Sequence, residues 1–110
     1  MTARYTVYLT AGAEADLADI HDWIAAHRAP DQAGAFLDTM LARIDSLEQF
    51  PDRGSVPPEL DALGIRDFRQ IVAPPYRLLY RVIVDSVFVL LVADGRRDFQ
   101  ALLERRLLAG

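Results

Sequence analysis

The apolar residues of this chain change their period once, and that change constrains the fold more than any other feature. Between residues 13 and 47 they recur every three to four positions, whereas between 65 and 93 they alternate or run on without a break. Leu17, Ile20, Trp23, Ile24 and His27 trace one helical stripe, with Glu14, Asp16, Asp19 and Asp22 on the polar side. Pro30, followed by Asp31 and Gln32, marks a second helix start, and Phe36, Leu37, Met40, Leu41, Ile44 and Leu47 form its stripe up to Phe50-Pro51. The short connection makes these helices an antiparallel hairpin. Trp23 and Phe36 read first as the core of that hairpin.

Strands flank the helices. Tyr5 to Leu9 is a short β-branched and aromatic run, and residues 51–64, with Pro51, Gly54, Pro57, Pro58 and Gly64, read as a loop. Three further strands are predicted at Ile65 to Val72, Tyr76 to Val84 and Val87 to Ala93, with Pro74-Pro75 interrupting the first connection and Asp85-Ser86 turning the second. Val87 to Val92 is apolar at every position, which requires an inner strand covered on both sides. Phe99, Leu102, Leu103 and Leu107 then outline a short basic amphipathic helix. The expected class is α+β: an N-terminal strand and a helical hairpin packed on a mainly antiparallel sheet of three further strands, closed by a short C-terminal helix. At 110 residues this is one domain, spanning 1–110.

Strand alternation places Arg77, Leu79, Arg81 and Ile83 on one face of the sheet and Tyr76, Leu78, Tyr80 and Val82 on the other. With helices on the second set only, the arginine face is expected to be uncovered and to meet a partner. Internal ion pairs of Arg77 and Arg81 with Asp67 or Asp98 are the competing reading. Arg96, Arg97 and Asp98 follow the innermost strand after Gly95, a residue that permits a bulge or a positive φ. Arginine forks suit carboxylate or phosphate, so the cluster points to an anionic partner.

Charge and composition narrow the classes. The net charge of −4 is uneven: four arginines face eleven acids up to residue 64, and eight face five thereafter. A nonspecific nucleic-acid binder carries a basic surplus over the whole domain, and this chain does not. It has no cysteine, which excludes thiolate metal sites and disulfides and fits a reducing cytoplasm. His21 and His27 are six residues apart, a spacing that does not place two metal ligands on one helix face, so no metal and no cofactor are expected. No apolar run approaches the ~20 residues of a membrane span, so the chain reads as soluble, cytoplasmic and without membrane contact.

The tyrosine-arginine strand at Tyr76 to Arg81, followed by Ala93-Asp94-Gly95-Arg96-Arg97-Asp98, resembles the RelE/ParE superfamily of bacterial type II toxins. The Ala-Glu-Ala-Asp-Leu run at 13–17, the Trp-bearing helix and Ile65-Arg66 extend the resemblance over nearly the whole chain. It implies a small toxin neutralised by a cognate antitoxin whose disordered segment folds around it, with operator DNA bound only through that antitoxin. Two activities occur in the superfamily. RelE-type members are ribosome-dependent endoribonucleases; for that activity Arg77 and Arg97 match the expected arginines, but Phe68-Arg69-Gln70-Ile71 stands where lysines are expected, and a C-terminal tyrosine aligns near Leu103. ParE-type members inhibit DNA gyrase and need no proton-transfer residue, which makes a ParD-like antitoxin and gyrase the expected partners and leaves no catalytic residue to assign. Target contact is assigned to Arg77, Arg81, Arg96, Arg97 and Asp98, and antitoxin contact to Ile20, Trp23, Phe36, Leu79 and Ile83.

Overall fold

The computed structural model describes residues 4–108. Its elements are β1 (Thr6–Leu9), α1 (Ala11–His27), α2 (Pro30–Ser46), α3 (Pro58–Asp61), β2 (Phe68–Ala73), β3 (Tyr76–Ile83), β4 (Ser86–Asp94) and α4 (Phe99–Leu103), which continues as a π-helical segment, Glu104–Leu108. Thr10 caps α1 by accepting the Ala13 N–H, and Pro30 opens α2. The sheet order is β1-β4-β3-β2, antiparallel except for β1, which lies parallel to β4. That parallel pair is what a helical hairpin crossing over the sheet produces, since parallel neighbours need a long connection.

The helical hairpin covers one sheet face. Leu17 and Ile24 of α1 and Phe36, Met40 and Ile44 of α2 pack with Leu78, Tyr80, Val87, Val89 and Val92. Tyr80 is fully buried, and its hydroxyl donates to Pro51 O at 2.6 Å while accepting the Gly54 N–H at 3.0 Å. Burial pushes the phenol above its ordinary pKa. Tyr80→Phe should therefore cost about 2 kcal/mol, because it leaves a buried carbonyl and an amide unsatisfied; urea unfolding measures this.

The arginine face is covered too, contrary to the sequence expectation. Leu60 of α3 and Phe99, Leu102 and Leu103 of α4 pack on Leu79, Leu91 and Ala93 as a second, smaller core. Residues 51–64 are thus not wholly loop, and β2 begins at Phe68 rather than Ile65, because Ile65 donates to Leu60 O to close α3.

Two further differences lie in β3 and β4. The hairpin turn is Val84-Asp85, not Asp85-Ser86, since Ile83 pairs with Ser86. A two-residue turn needs positive φ, and Val84 supplies it at 58°, while 89 % exposed. Further along, the register passes from Tyr80↔Val89 to Leu79↔Leu91, so Leu90 is the extra residue of a bulge. The bulge reverses which backbone groups of β4 face away from β3.

Candidate functional site

A groove of about 800 Å³ lies between the helical hairpin and the C-terminal end of the sheet. Its apolar wall comes from Ile20, Trp23, Ile24, Phe36, Met40 and Tyr76, and Val92 and Asp94 of β4 form its side. Phe36 is buried and meets Tyr76 edge-on at 4.7 Å. Trp23 is 52 % exposed and stacks on His27 at 4.5 Å, so it belongs to the groove rim and not to the hairpin core. Arg28, Arg96 and Arg97 also line the groove, as do Asp16, Asp19 and Asp94. An apolar trough with arginines beside it fits an amphipathic protein segment carrying carboxylates.

The groove gathers some of the expected antitoxin contacts and not others. Ile20, Trp23 and Phe36 share it. Leu79 is fully buried in the second core, and Ile83 is exposed beside the hairpin turn at the other end of β3. Strand parity had put those two on the opposite face, which the groove does not reach.

The arginines separate as well. Arg77 is not an outward fork: only 12 % of its side chain is exposed, and both terminal nitrogens donate to Glu59 at 2.7 Å. Its Nε donates to Gln70 Oε1 at 2.8 Å, and its Cζ lies 3.6 Å from the centre of the Phe99 ring. The guanidinium holds the Glu59 carboxyl below its ordinary pKa. Arg77 does form an internal ion pair, with Glu59 of α3 and not with Asp67 or Asp98, the partners expected from neighbouring strands. Gly95 serves this packing rather than a positive φ, since a Cβ there would come 2.9 Å from Arg77 Cδ.

Arg81 is exposed, 5.5 Å from the Phe68 ring centre. Arg96 pairs with Asp94 at 2.6 Å, and hydrogen bonds from its guanidinium and backbone N–H hold the Asp94 carboxyl at about 2. Arg97 is exposed and has no ion pair among the described residues. Asp98 is a helix cap, accepting the Ala101 N–H at 3.1 Å. Asp16, expected on a solvated helix face, instead takes Arg106 at 2.9 and 3.0 Å and the Val92 N–H at 3.0 Å. The partners lie 90 and 76 residues apart in the chain, so no local pattern could reveal them.

His21 is tied to Asp22 and His27 to Trp23 O, both on α1. Among the described residues no group of three His, Cys, Asp or Glu side chains could hold a metal ion, and no helix is long and apolar enough to cross a membrane.

Residues 7–99 match the sequence model of the family described as ParE toxin of type II toxin-antitoxin system, parDE. The chain belongs to the ParE toxin family. A solved structure of the chromosomal ParDE system from P. aeruginosa is similar at a TM-score of 0.69 and 19% identity, covering 84% of this chain and 97% of that one. The RelBE2 toxin-antitoxin complex from Mycobacterium tuberculosis is similar at a TM-score of 0.56 and 25% identity, covering 83% of this chain and 98% of that one. No curated protein sequence matches the chain. This ParE-family chain is a toxin of a type II toxin-antitoxin system.

Proposed function

We propose that the protein arrests growth by binding DNA gyrase, and that an antitoxin silences it by filling the groove between α1, α2 and β4. The observation that carries the first part is the state of Arg77. A nuclease of the RelE kind would use this arginine against the charge building on a scissile phosphate. Here its donors are directed at Glu59 and Gln70 and its flat face at Phe99. Arg97 is left without a histidine, or any other assigned proton-transfer group, to act with it. Binding needs neither.

The antitoxin reading rests on the groove itself, whose apolar wall and flanking arginines suit an amphipathic segment that orders on docking. The second core takes α4 out of consideration as a free arm, since Phe99, Leu102 and Leu103 are buried.

Purified protein should block supercoiling by gyrase in vitro. Arg97→Ala should keep the wild-type melting temperature while losing at least about tenfold in inhibition, the scale of one removed charged contact at an interface. Cleavage of ribosome-bound messages with supercoiling untouched would replace this reading with the RelE-like endoribonuclease.

A further inference from the structure

The second core covers only part of the sheet face that carries the β3 arginines. Leu60, Phe99, Leu102 and Leu103 pack on Leu79, Leu91 and Ala93, whereas Arg81 and Ile83, nearer the hairpin turn, are exposed. There the pairing register sets four side chains in one line across the whole sheet: Tyr8 opposes Phe88, Phe88 opposes Arg81, and Arg81 opposes Phe68. Tyr8 is 49 % exposed, and its ring stacks on Phe88 with centres 5.3 Å apart and planes 17° from parallel. The next line toward the turn, Thr6, Ser86 and Ile83, carries no charge.

Arg81 is the free cation of this face. It lines a cleft with Arg66, Arg69 and Asp67, but Arg66 is paired to Asp61, and Arg69 is held by Asp52 and Gly54 O. Asp67 makes no ion pair with Arg81, whose guanidinium lies over Phe68 and has no carboxylate partner among the described residues. The turn supplies an independent observation. Val84 is β-branched and exposed, yet it stands at positive φ, where glycine is the fitting residue. Valine there costs backbone strain and leaves apolar area in water, and the fold gains from neither.

We propose that the aromatic line with Arg81 and the Ile83–Val84 tip is the face on which the target protein docks, Arg81 being received by a carboxylate set among apolar groups of that protein. This rests on the reading of the chain as a gyrase binder and assigns the contact surface. Aromatic rings around one arginine, with no lysine or acid in the line, have the make-up of a protein interface centre. The complement of an unpaired guanidinium backed by a ring is a carboxylate. A nucleic acid is the poorer fit, because rings as close and as parallel as Tyr8 and Phe88 already overlap and offer an incoming base their edges, and one guanidinium neutralises one phosphate. Arg97, the other free arginine, follows the far end of β4, about 20 Å from Phe88 at the rise of a strand, a span that one interface of ordinary size covers. None of the residues of the line or the tip lines the groove, so the antitoxin's affinity is a separate readout.

The test measures binding of the full chain to purified gyrase holoenzyme by biolayer interferometry, alongside affinity for the cognate antitoxin. Arg81→Glu should weaken gyrase binding about 100-fold at unchanged melting temperature. Val84→Gly should weaken it about tenfold while melting at or above the wild-type temperature, a combination that a purely structural role of Val84 does not produce. Both variants should stay within about twofold of wild type for the antitoxin. Unchanged gyrase affinity in Arg81→Glu overturns the carboxylate contact, and unchanged affinity in both variants overturns the docking face. A matching loss of antitoxin affinity gives the face to the antitoxin and overturns the target assignment, and a single-stranded oligonucleotide held by wild type but not by Arg81→Glu overturns the protein partner. Wild-type chain that leaves gyrase unbound defeats the gyrase reading itself, and this inference with it.

Discussion

Glu59→Ala should lower the unfolding free energy by about 3 kcal/mol, within the range for breaking a largely desolvated ion pair, and lower the melting temperature by roughly 10 °C. The size follows from what stays behind. Arg77 would keep Gln70 and Phe99 but lose two bonds of 2.7 Å to a carboxylate whose side chain is 23 % exposed. An arginine cannot shed its charge, and little water reaches it. Replacing both partners, as Arg77→Met with Glu59→Leu, should recover most of the loss, because a well-packed apolar pair removes the stranded charge. Acid provides a second reading. The native Glu59 carboxyl titrates below its ordinary value of 4.5, so its contribution is complete above that pH and fades as the pH falls through the lower native value. The stability gap between wild type and Glu59→Ala should therefore narrow below about pH 4.5. Thermal unfolding by circular dichroism at pH 7 and pH 3 checks both statements. An unchanged melting temperature at pH 7 would return Arg77 to the residues free to meet a target.

The same pair shows where sequence reasoning stopped. Alternation along β3 correctly set Arg77 beside Leu79 and Arg81, because strand parity is a property of neighbouring residues. Whether that face is covered depends on Leu60, Phe99, Leu102 and Leu103, which arrive from two other segments. One clue was present: the unbroken apolar run of β4 demanded cover on both sides, which an open arginine face contradicts. The helices were legible because a stripe of spacing 3.6 is local; the degree to which Trp23 sits at its margin was not. Asp16 lies beyond any local pattern, since its partners are an arginine and a backbone amide from the far end of the chain. Ile20, Trp23 and Phe36 meet in one groove, whereas Leu79 and Ile83 lie on the opposite sheet face, a separation that strand parity alone already implies.

Gly54→Ala should be at least as damaging, at about 3–4 kcal/mol, the cost of a backbone shift together with two or more buried hydrogen bonds. A Cβ at this position would sit 2.5 Å from Gln70 O and 2.7 Å from the Tyr80 hydroxyl. The first is backbone and the second a fully buried side chain, so neither can rotate away. Relief requires moving the strap around Gly54, which carries the Ser55–Gln70 bridge at 3.1 and 2.7 Å, the Gly54 N–H bond to Tyr80 and the Arg69 bond to Gly54 O at 2.7 Å. Gly34→Ala is the control: nothing lies within 4 Å of its Cβ, it is in the interior of α2, and it should gain about 0.5–1 kcal/mol. Urea unfolding of both variants gives the comparison, and a Gly54→Ala value within about 1 kcal/mol of wild type would mean that the strap is not held as described. The strap matters beyond stability, because its Ser55–Gln70 bridge occupies the middle of the outer edge of β2. Loosening it exposes unpaired strand groups, so Gly54→Ala should also show concentration-dependent aggregation.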